Sequence, residues 1–338
     1  QHRTSVRAHL YVASQHRALY CRKMAIYHLP VKMIKRSAGQ SAVASAAYRR
    51  ATILRDERTG LVHNFSHKTN VIYSEIFAPD NAPAWMMEIC ELQKTDPSRA
   101  SEALWNSVEK REKRVDSQLA REFEFALPLE LNKNECIALT KAYVKTLTDQ
   151  GMVVDVSIHW DKGNPHAHVM ASTRFLETQG WGKKNCEWNK KSALRGWREN
   201  LATLTNQFLE KNGFHPRISH LSYAEQGIDL EPTVHEGSAN SRANKNARAE
   251  NKKIRLRNLN KIIENPIILL EKLALQNTTF SIADITSALG IYLEPANADF
   301  LGSNSPKPKS GRLPFQTLNI IQTAVAPQFF AASNPANT

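Results

Sequence analysis

The sequence predicts an α+β protein: a central antiparallel sheet flanked by helices, followed by a small helical module. Three observations carry that prediction. Runs alternating with period two are interleaved with runs of helical period from residue 26 onward. The β-branched run at 153–157 and the run at 169–173 flank the segment 158–170, whose Asp161, Lys162, Gly163 and Asn164 are turn-formers that predict a hairpin. Residues 266–290 then return to an apolar helical pattern after a polar, basic stretch.

Taken in order, residues 1–23 are basic and polar without a continuous apolar segment, so they read as a disordered basic extension and not as a signal peptide. Met24 reads as the natural start. Residues 26–34 alternate as a strand, and Ser37, Ala38, Gly39, Gln40 and Ser41 break it and supply helix caps. Residues 42–51 form a helix of small side chains, able to lie close to a sheet. Its one aromatic residue, Tyr48, is followed at once by Arg49 and Arg50. Residues 70–76 predict a strand, and 82–108 a helical region with a charged outer face. Residues 121–128 alternate strictly, with Arg121, Phe123 and Phe125 on one face and Glu122 and Glu124 on the other. Residues 131–150 predict a helix with an apolar stripe, stopped at Gly151. After the hairpin, 181–197 is aromatic and basic, and 197–212 is an amphipathic helix. Residues 238–261 form a basic linker or exposed helix, 262–301 a small helical module with Thr279 and Ser281 as cap candidates, and 302–338 a disordered tail.

The chain has 338 residues and a formal net charge of +13, which makes a polyanion the first partner to consider. Its four cysteines, Cys21, Cys90, Cys136 and Cys186, are scattered without a Cys-x-x-Cys pair. That argues against a zinc ribbon or a disulfide framework and suits a reducing cytoplasm. There is no apolar run of about eighteen residues, so no transmembrane helix and no membrane partner is expected. The phosphate-binding pattern of nucleotide-driven motors is also absent.

The chemistry concentrates on the hairpin. His166 and His168 are two apart on one strand and share a face, and His159 can reach them from the neighbouring strand. Three converging imidazoles suit a metal or a phosphate. Glu122 or Glu124 can face them, or both can face solvent. Tyr48 is a candidate nucleophile whose neighbouring cations would attract phosphate, although a tyrosine packed at a helix end is the simpler local reading. Trp181, Lys183, Lys184 and Arg195 interleave rings and cations as single-stranded nucleic acid requires, and Arg49 and Arg50 join them as candidate DNA contacts. A basic loop leading into a helix with a core tryptophan accounts for the same residues.

Four blocks resemble the MobA/MobL relaxases, most of all their TraA branch from Ti-type transfer systems. They are Met24-Ala25-Ile26-Tyr27-His28-Leu29 with Gly39-Gln40-Ser41-Ala42 and Ala46-Ala47-Tyr48, the strand at 121–128, Ile158-His159 with Asn164-Pro165-His166-Ala167-His168, and the segment 226–237. The resemblance implies a relaxase domain over 24–237 with an HUH endonuclease fold, a two-layer sandwich with the histidine hairpin in mid-sheet. It implies that Tyr48 attacks the scissile phosphate of one DNA strand at an origin of transfer, giving a 5′-phosphotyrosyl link. It further implies Mg²⁺ or Mn²⁺ on His159, His166 and His168, and Glu122 as the acidic residue that orients them or acts as base. Single-stranded or hairpin DNA, relaxosome accessory proteins and a type IV secretion coupling protein are the implied partners. Full-length TraA proteins continue into a helicase, so a shortened or split product is expected. A replication initiator of the same fold, a non-catalytic DNA-binding remnant and a histidine-triad nucleotide hydrolase compete, the last needing a histidine where Met170 stands.

Overall fold

The computed structural model describes residues 27–215, 217–234, 236, 242–276, 284–285 and 288–292. Residues 1–23 and 302–338, and the expected caps Thr279 and Ser281, lie outside them. The chain divides into two units, one ending at His220 and one beginning at Leu221.

In the first unit, β1 (Val31–Lys35) leads through a 3-10 turn to Gly39, whose φ of 70° suits the residue without a Cβ. Helix α1 (Ala42–Arg50) follows, with the Ser41 hydroxyl accepting the Ala44 N–H at 3.3 Å. The carboxylate of buried Glu109 accepts the Ala42 N–H at 2.8 Å, placing negative charge at the helix N-terminus. The small residues Ala42, Val43, Ala46 and Ala47 are all buried. The helix ends at Ala51 in the left-handed region, φ 53°, a conformation costing a non-glycine residue roughly 1 kcal/mol.

Next come β2 (Ile53–Arg55) and β3 (Val62–Asn64), paired as a separate hairpin, then β4 (Val71–Phe77). The helical region expected at 82–108 is two helices, α2 (Ala84–Leu92) and α3 (Pro97–Arg111). Asp96 caps the second and Pro97 starts it, where a missing N–H is harmless. β5 (Gln118–Ala126) precedes α4 (Lys133–Thr148), which opens with a capping box between Asn132 and Glu135. β6 (Val154–Asp161) and β7 (Asn164–Ala171) form the expected hairpin, turned at Gly163 with φ 75°. β8 (Arg174–Glu177) and β9 (Gly180–Lys184) add a further hairpin before the long α5 (Lys191–Lys211).

The five-stranded sheet has the order β1-β5-β7-β6-β4, every neighbour antiparallel, so β7 is its middle strand. On one face Phe123, Phe125, Val156, Ile158 and Val169 pack against Tyr143 and Leu147 of α4 and Trp197 and Leu201 of α5. Each such fully buried apolar side chain contributes about 1.5–3 kcal/mol. On the other face Ile34, Ile76 and Met170 pack against α1 and against Leu104 and Trp105 of α3. Helices therefore cover both faces, a third layer beyond the two expected. The alternation behind this is visible at β6, where 154, 156 and 158 face α4 and 155, 157 and 159 face α1 and α3.

In the second unit, α6 (Arg242–Glu264) and α7 (Ile267–Gln276) share a core with Ile228 and Leu230. The block at 226–237, expected to close the preceding domain, thus has buried residues here. Asn244, Asn251 and Asn258 stand seven apart on α6, on one face two turns from each other. Asn258 accepts the Glu231 N–H and donates to its carbonyl, both at 2.9 Å. Asn251 does the same for Val234 at 2.8 and 2.9 Å, and Asn244 donates to the Glu236 carbonyl at 2.9 Å. The stretch expected as a linker or exposed helix is a helix with one face covered by its own preceding segment. Asn251→Ala leaves both main-chain groups of Val234 without these partners. It is expected to destabilise the second unit by about 1–3 kcal/mol, read as a lower urea midpoint and faster exchange of the Val234 amide hydrogen.

Candidate catalytic site

The hairpin register places His159 of β6 directly opposite His166 of β7, with His168 on the same face two residues on. The three rings lie with centroids 5.1, 4.6 and 5.0 Å apart. One nitrogen from each falls within 4.8 Å of the others. One nitrogen of each ring is anchored by a hydrogen bond. His168 Nδ1 meets Glu122 Oε1 at 2.9 Å, and His166 Nδ1 meets the Asn164 carbonyl at 2.9 Å. His159 Nε2 meets the Arg49 carbonyl at 2.7 Å. A carbonyl or an ionised carboxylate only accepts, so each of these ring nitrogens is the donor in its contact.

Two shifts keep that arrangement. Burial pushes the Glu122 carboxyl upward, but hydrogen bonds from His168 and Arg49 and the Arg49 charge outweigh it and hold the group at about 2. Burial lowers His159 to about 4 against the Arg49 carbonyl, so its ring is neutral near pH 7. Three imidazoles, each with one ring nitrogen hydrogen-bonded, form a donor set that fits a divalent transition-type cation.

Tyr48 lies in the last turn of α1, 45% exposed. Phe65 packs edge-on to its ring at 5.3 Å, and Lys68 Nζ sits 3.6 Å from the ring centroid. Lys68 also donates to the Tyr48 carbonyl at 3.1 Å. The next residue, Arg49, is the one whose carbonyl meets His159, so the tyrosine is one position along the chain from a contact with the triad. The structure brings together His159, His166, His168, Glu122 and the end of α1. Glu124 stands opposite His168 in the register, its carboxylate within 4.8 Å of that ring and of Glu122, and it also pairs with Lys32 at 3.1 Å.

The structure gives several of the expected DNA contacts partners inside the protein. Arg50 is buried, with Nε 2.7 Å from Asp155 Oδ1, so its charge belongs to the interior. Arg49 turns inward onto Glu122 at 2.6 Å. Trp181 is 7% exposed, packed edge-on to Trp85 and donating to Ser107 Oγ, with no face open for a base. Lys184 donates to the Gln118 carbonyl and pairs with Glu112. Lys183 and Arg195 have exposed side chains. Trp197 is core, as the simpler reading of that helix held.

Sequence reasoning missed Phe65, Lys68 and Asp155. Nothing in the local pattern marks the first two, which reach Tyr48 from the loop after β3. Asp155 did carry a signal: a carboxylate within a β-branched strand run is costly to bury without partners.

Comparisons with known proteins find relatives of this chain. The MobA/MobL family profile matches residues 40–246. The conjugal transfer protein TraA of Rhizobium radiobacter is 32% identical over 308 residues, covering 80% of this chain and 28% of that protein. The mobilization protein MobL of Acidithiobacillus ferridurans is 36% identical over 252 residues, 64% of this chain and 63% of the relative. This chain therefore spans less than two thirds of either relative's length. A solved structure described as the molecular basis of vancomycin resistance transfer in Staphylococcus aureus superposes with a TM-score of 0.52 at 34% identity, covering 59% of this chain and all of the other. With a family match across most of its length, including the histidine hairpin and the tyrosine helix, the chain belongs to the MobA/MobL family.

Proposed function

We propose that the chain is a DNA relaxase that nicks one strand at an origin of transfer, through a relaxase domain over 24–237. The observation that carries this reading is the Arg49 carbonyl on His159, which joins the helix of an exposed tyrosine to the imidazole triad. Tyr48 Oη attacks the scissile phosphorus, forming a P–O bond to the tyrosine as the P–O3′ bond breaks. The phenolic proton is lost and the leaving 3′ oxygen takes one up, giving a free 3′-hydroxyl and a 5′-phosphotyrosyl ester. No bond energy is lost to water, so the 3′-hydroxyl can reverse the step. His159, His166 and His168 would hold the divalent ion, Mg²⁺ or Mn²⁺, which supplies Lewis-acid polarisation of the phosphate. Imidazole donors favour Mn²⁺ over Mg²⁺. Glu122 orients His168 and keeps its proton on Nδ1. Phe65 and Lys68 hold the tyrosine ring. Lys183 and Arg195 meet the phosphate backbone.

The relatives' names, conjugal transfer and mobilization proteins, support this reading. It brings with it single-stranded or hairpin origin DNA, relaxosome accessory proteins and a type IV coupling protein as partners, in the cytoplasm. The test is a pool of labelled single-stranded oligonucleotides incubated with the protein and Mn²⁺ or Mg²⁺. An SDS-stable adduct mapped to Tyr48, with a free 3′-hydroxyl on the other fragment, is expected. An adduct on another residue, or products ending in a free 5′-phosphate without any adduct, overturns the reading.

EDTA, or His166→Ala combined with His168→Ala, is expected to lower the cleavage rate at least about a hundredfold. Gel assays over a metal series check this. Cleavage persisting in chelator favours a phosphate-binding triad without metal.

A further inference from the structure

This inference rests on the reading of the triad as a metal site. We infer that Arg49 is a positioning residue that locks the imidazole triad to the nucleophile's helix, and that it is not a DNA contact. Its guanidinium reaches Glu122 Oε1 through both Nε and Nη2 at 2.6 Å, and its Nη1 donates to the Ser45 carbonyl at 2.8 Å. The same Oε1 accepts Nδ1 of His168 at 2.9 Å. Its main-chain carbonyl accepts Nε2 of His159 at 2.7 Å. One residue thus fixes the β6 histidine directly and a β7 histidine through Glu122.

The energetics favour this role over phosphate binding. The Arg49 and Glu122 side chains are only 15% and 7% exposed. A phosphate taking the guanidinium would leave a buried carboxylate without its cation. Glu122 Oε1 receives both the guanidinium and Nδ1 of His168, so the arginine holds the carboxylate where it orients that ring. Lysine cannot replace the planar fork that puts two donors on one oxygen and a third on the helix backbone, although it supplies the charge.

The test is titration of purified wild-type, Arg49→Gln, Arg49→Lys, Glu122→Gln and the Arg49→Gln/Glu122→Gln protein with Mn²⁺ by calorimetry. Arg49→Gln is expected to weaken Mn²⁺ binding about 10–100-fold. Arg49→Lys recovers part of that loss, and it carries the comparison if Arg49→Gln does not fold. The double variant binds no more weakly than Glu122→Gln alone, because the arginine acts along one chain of contacts. In parallel, anisotropy with labelled oligo-dT over a NaCl series is expected to give wild-type and Arg49→Gln the same slope of log affinity against log salt. Loss of a phosphate contact lowers that slope by about 0.7.

Equal Mn²⁺ affinity in wild-type and Arg49→Gln overturns the inference while leaving the metal site standing. So does additive loss in the double variant, or a reduced salt slope. A wild-type protein that binds no Mn²⁺ overturns the metal reading, and this inference with it.

Discussion

Tyr48→Phe is expected to abolish the covalent DNA adduct and to lower nicking at least about a thousandfold, the scale on which losing a covalent nucleophile acts. The substitution is unusually clean here. The Tyr48 ring is held by Phe65 and by Lys68, and both contacts are made to the ring, which phenylalanine keeps. The hydroxyl sits on a side chain 45% exposed, so its removal leaves stability within about 0.5 kcal/mol of wild type. DNA binding is expected to be retained, since only the reacting oxygen is gone. Denaturing gels of labelled DNA, a thermal melt and a binding isotherm separate the three quantities. Undiminished nicking by Tyr48→Phe would move the nucleophile to another residue. Loss of nicking together with a lowered melting temperature would point to packing instead.

The parts of this site that local chemistry determines were legible in the sequence. The histidine hairpin was, because period-two alternation and a Gly163 turn define both the strands and their register, and register decides which side chains share a face. The face shared by Glu122 and Glu124 was legible for the same reason, but which carboxylate meets a histidine was not. Glu124 stays within 4.8 Å of His168 but is engaged by Lys32 on β1, and a partner 92 residues distant leaves no trace in the local pattern. Arg49 and Arg50 look alike in sequence, two cations after a tyrosine. One helical step of about 100° turns the first onto Glu122 and the second onto Asp155, so both serve the interior. Trp181 and its lysines read as a stacking surface because composition cannot tell a buried ring from an open one. The Trp85 ring that covers Trp181 comes from α2. Strands β2 and β3, three residues each, are too short to show any period.

Asp155→Ala is expected to be the most destabilising single change in the first unit, by about 3–5 kcal/mol. The Asp155 side chain is 3% exposed and takes three donors: Arg50 Nε at 2.7 Å, Ser101 Oγ at 2.6 Å and Trp105 Nε1 at 2.8 Å. Alanine leaves an arginine, itself 3% exposed, with a charge that has lost its counter-ion. The remaining Arg50 contact, to the Pro97 carbonyl at 3.3 Å, is a weak substitute, and its Nη2 has no partner among the described residues. For a unit of this size the melting temperature should fall by roughly 10 °C. Arg50→Met combined with Asp155→Leu should recover much of the loss, because an apolar pair of similar volume removes both the charge and its desolvation. A circular dichroism melt checks both, and an Asp155→Ala protein melting within about 2 °C of wild type would sink the account. The consequence extends to the chemistry. Asp155 shares a sheet face with Ser157 and His159, and Arg50 lies two residues after Tyr48, so this buried pair fixes where the end of the tyrosine helix meets the histidine strand. Nicking by Asp155→Ala, assayed at a temperature where the variant is still folded, should therefore fall while the stability of the apolar double variant returns without full recovery of rate.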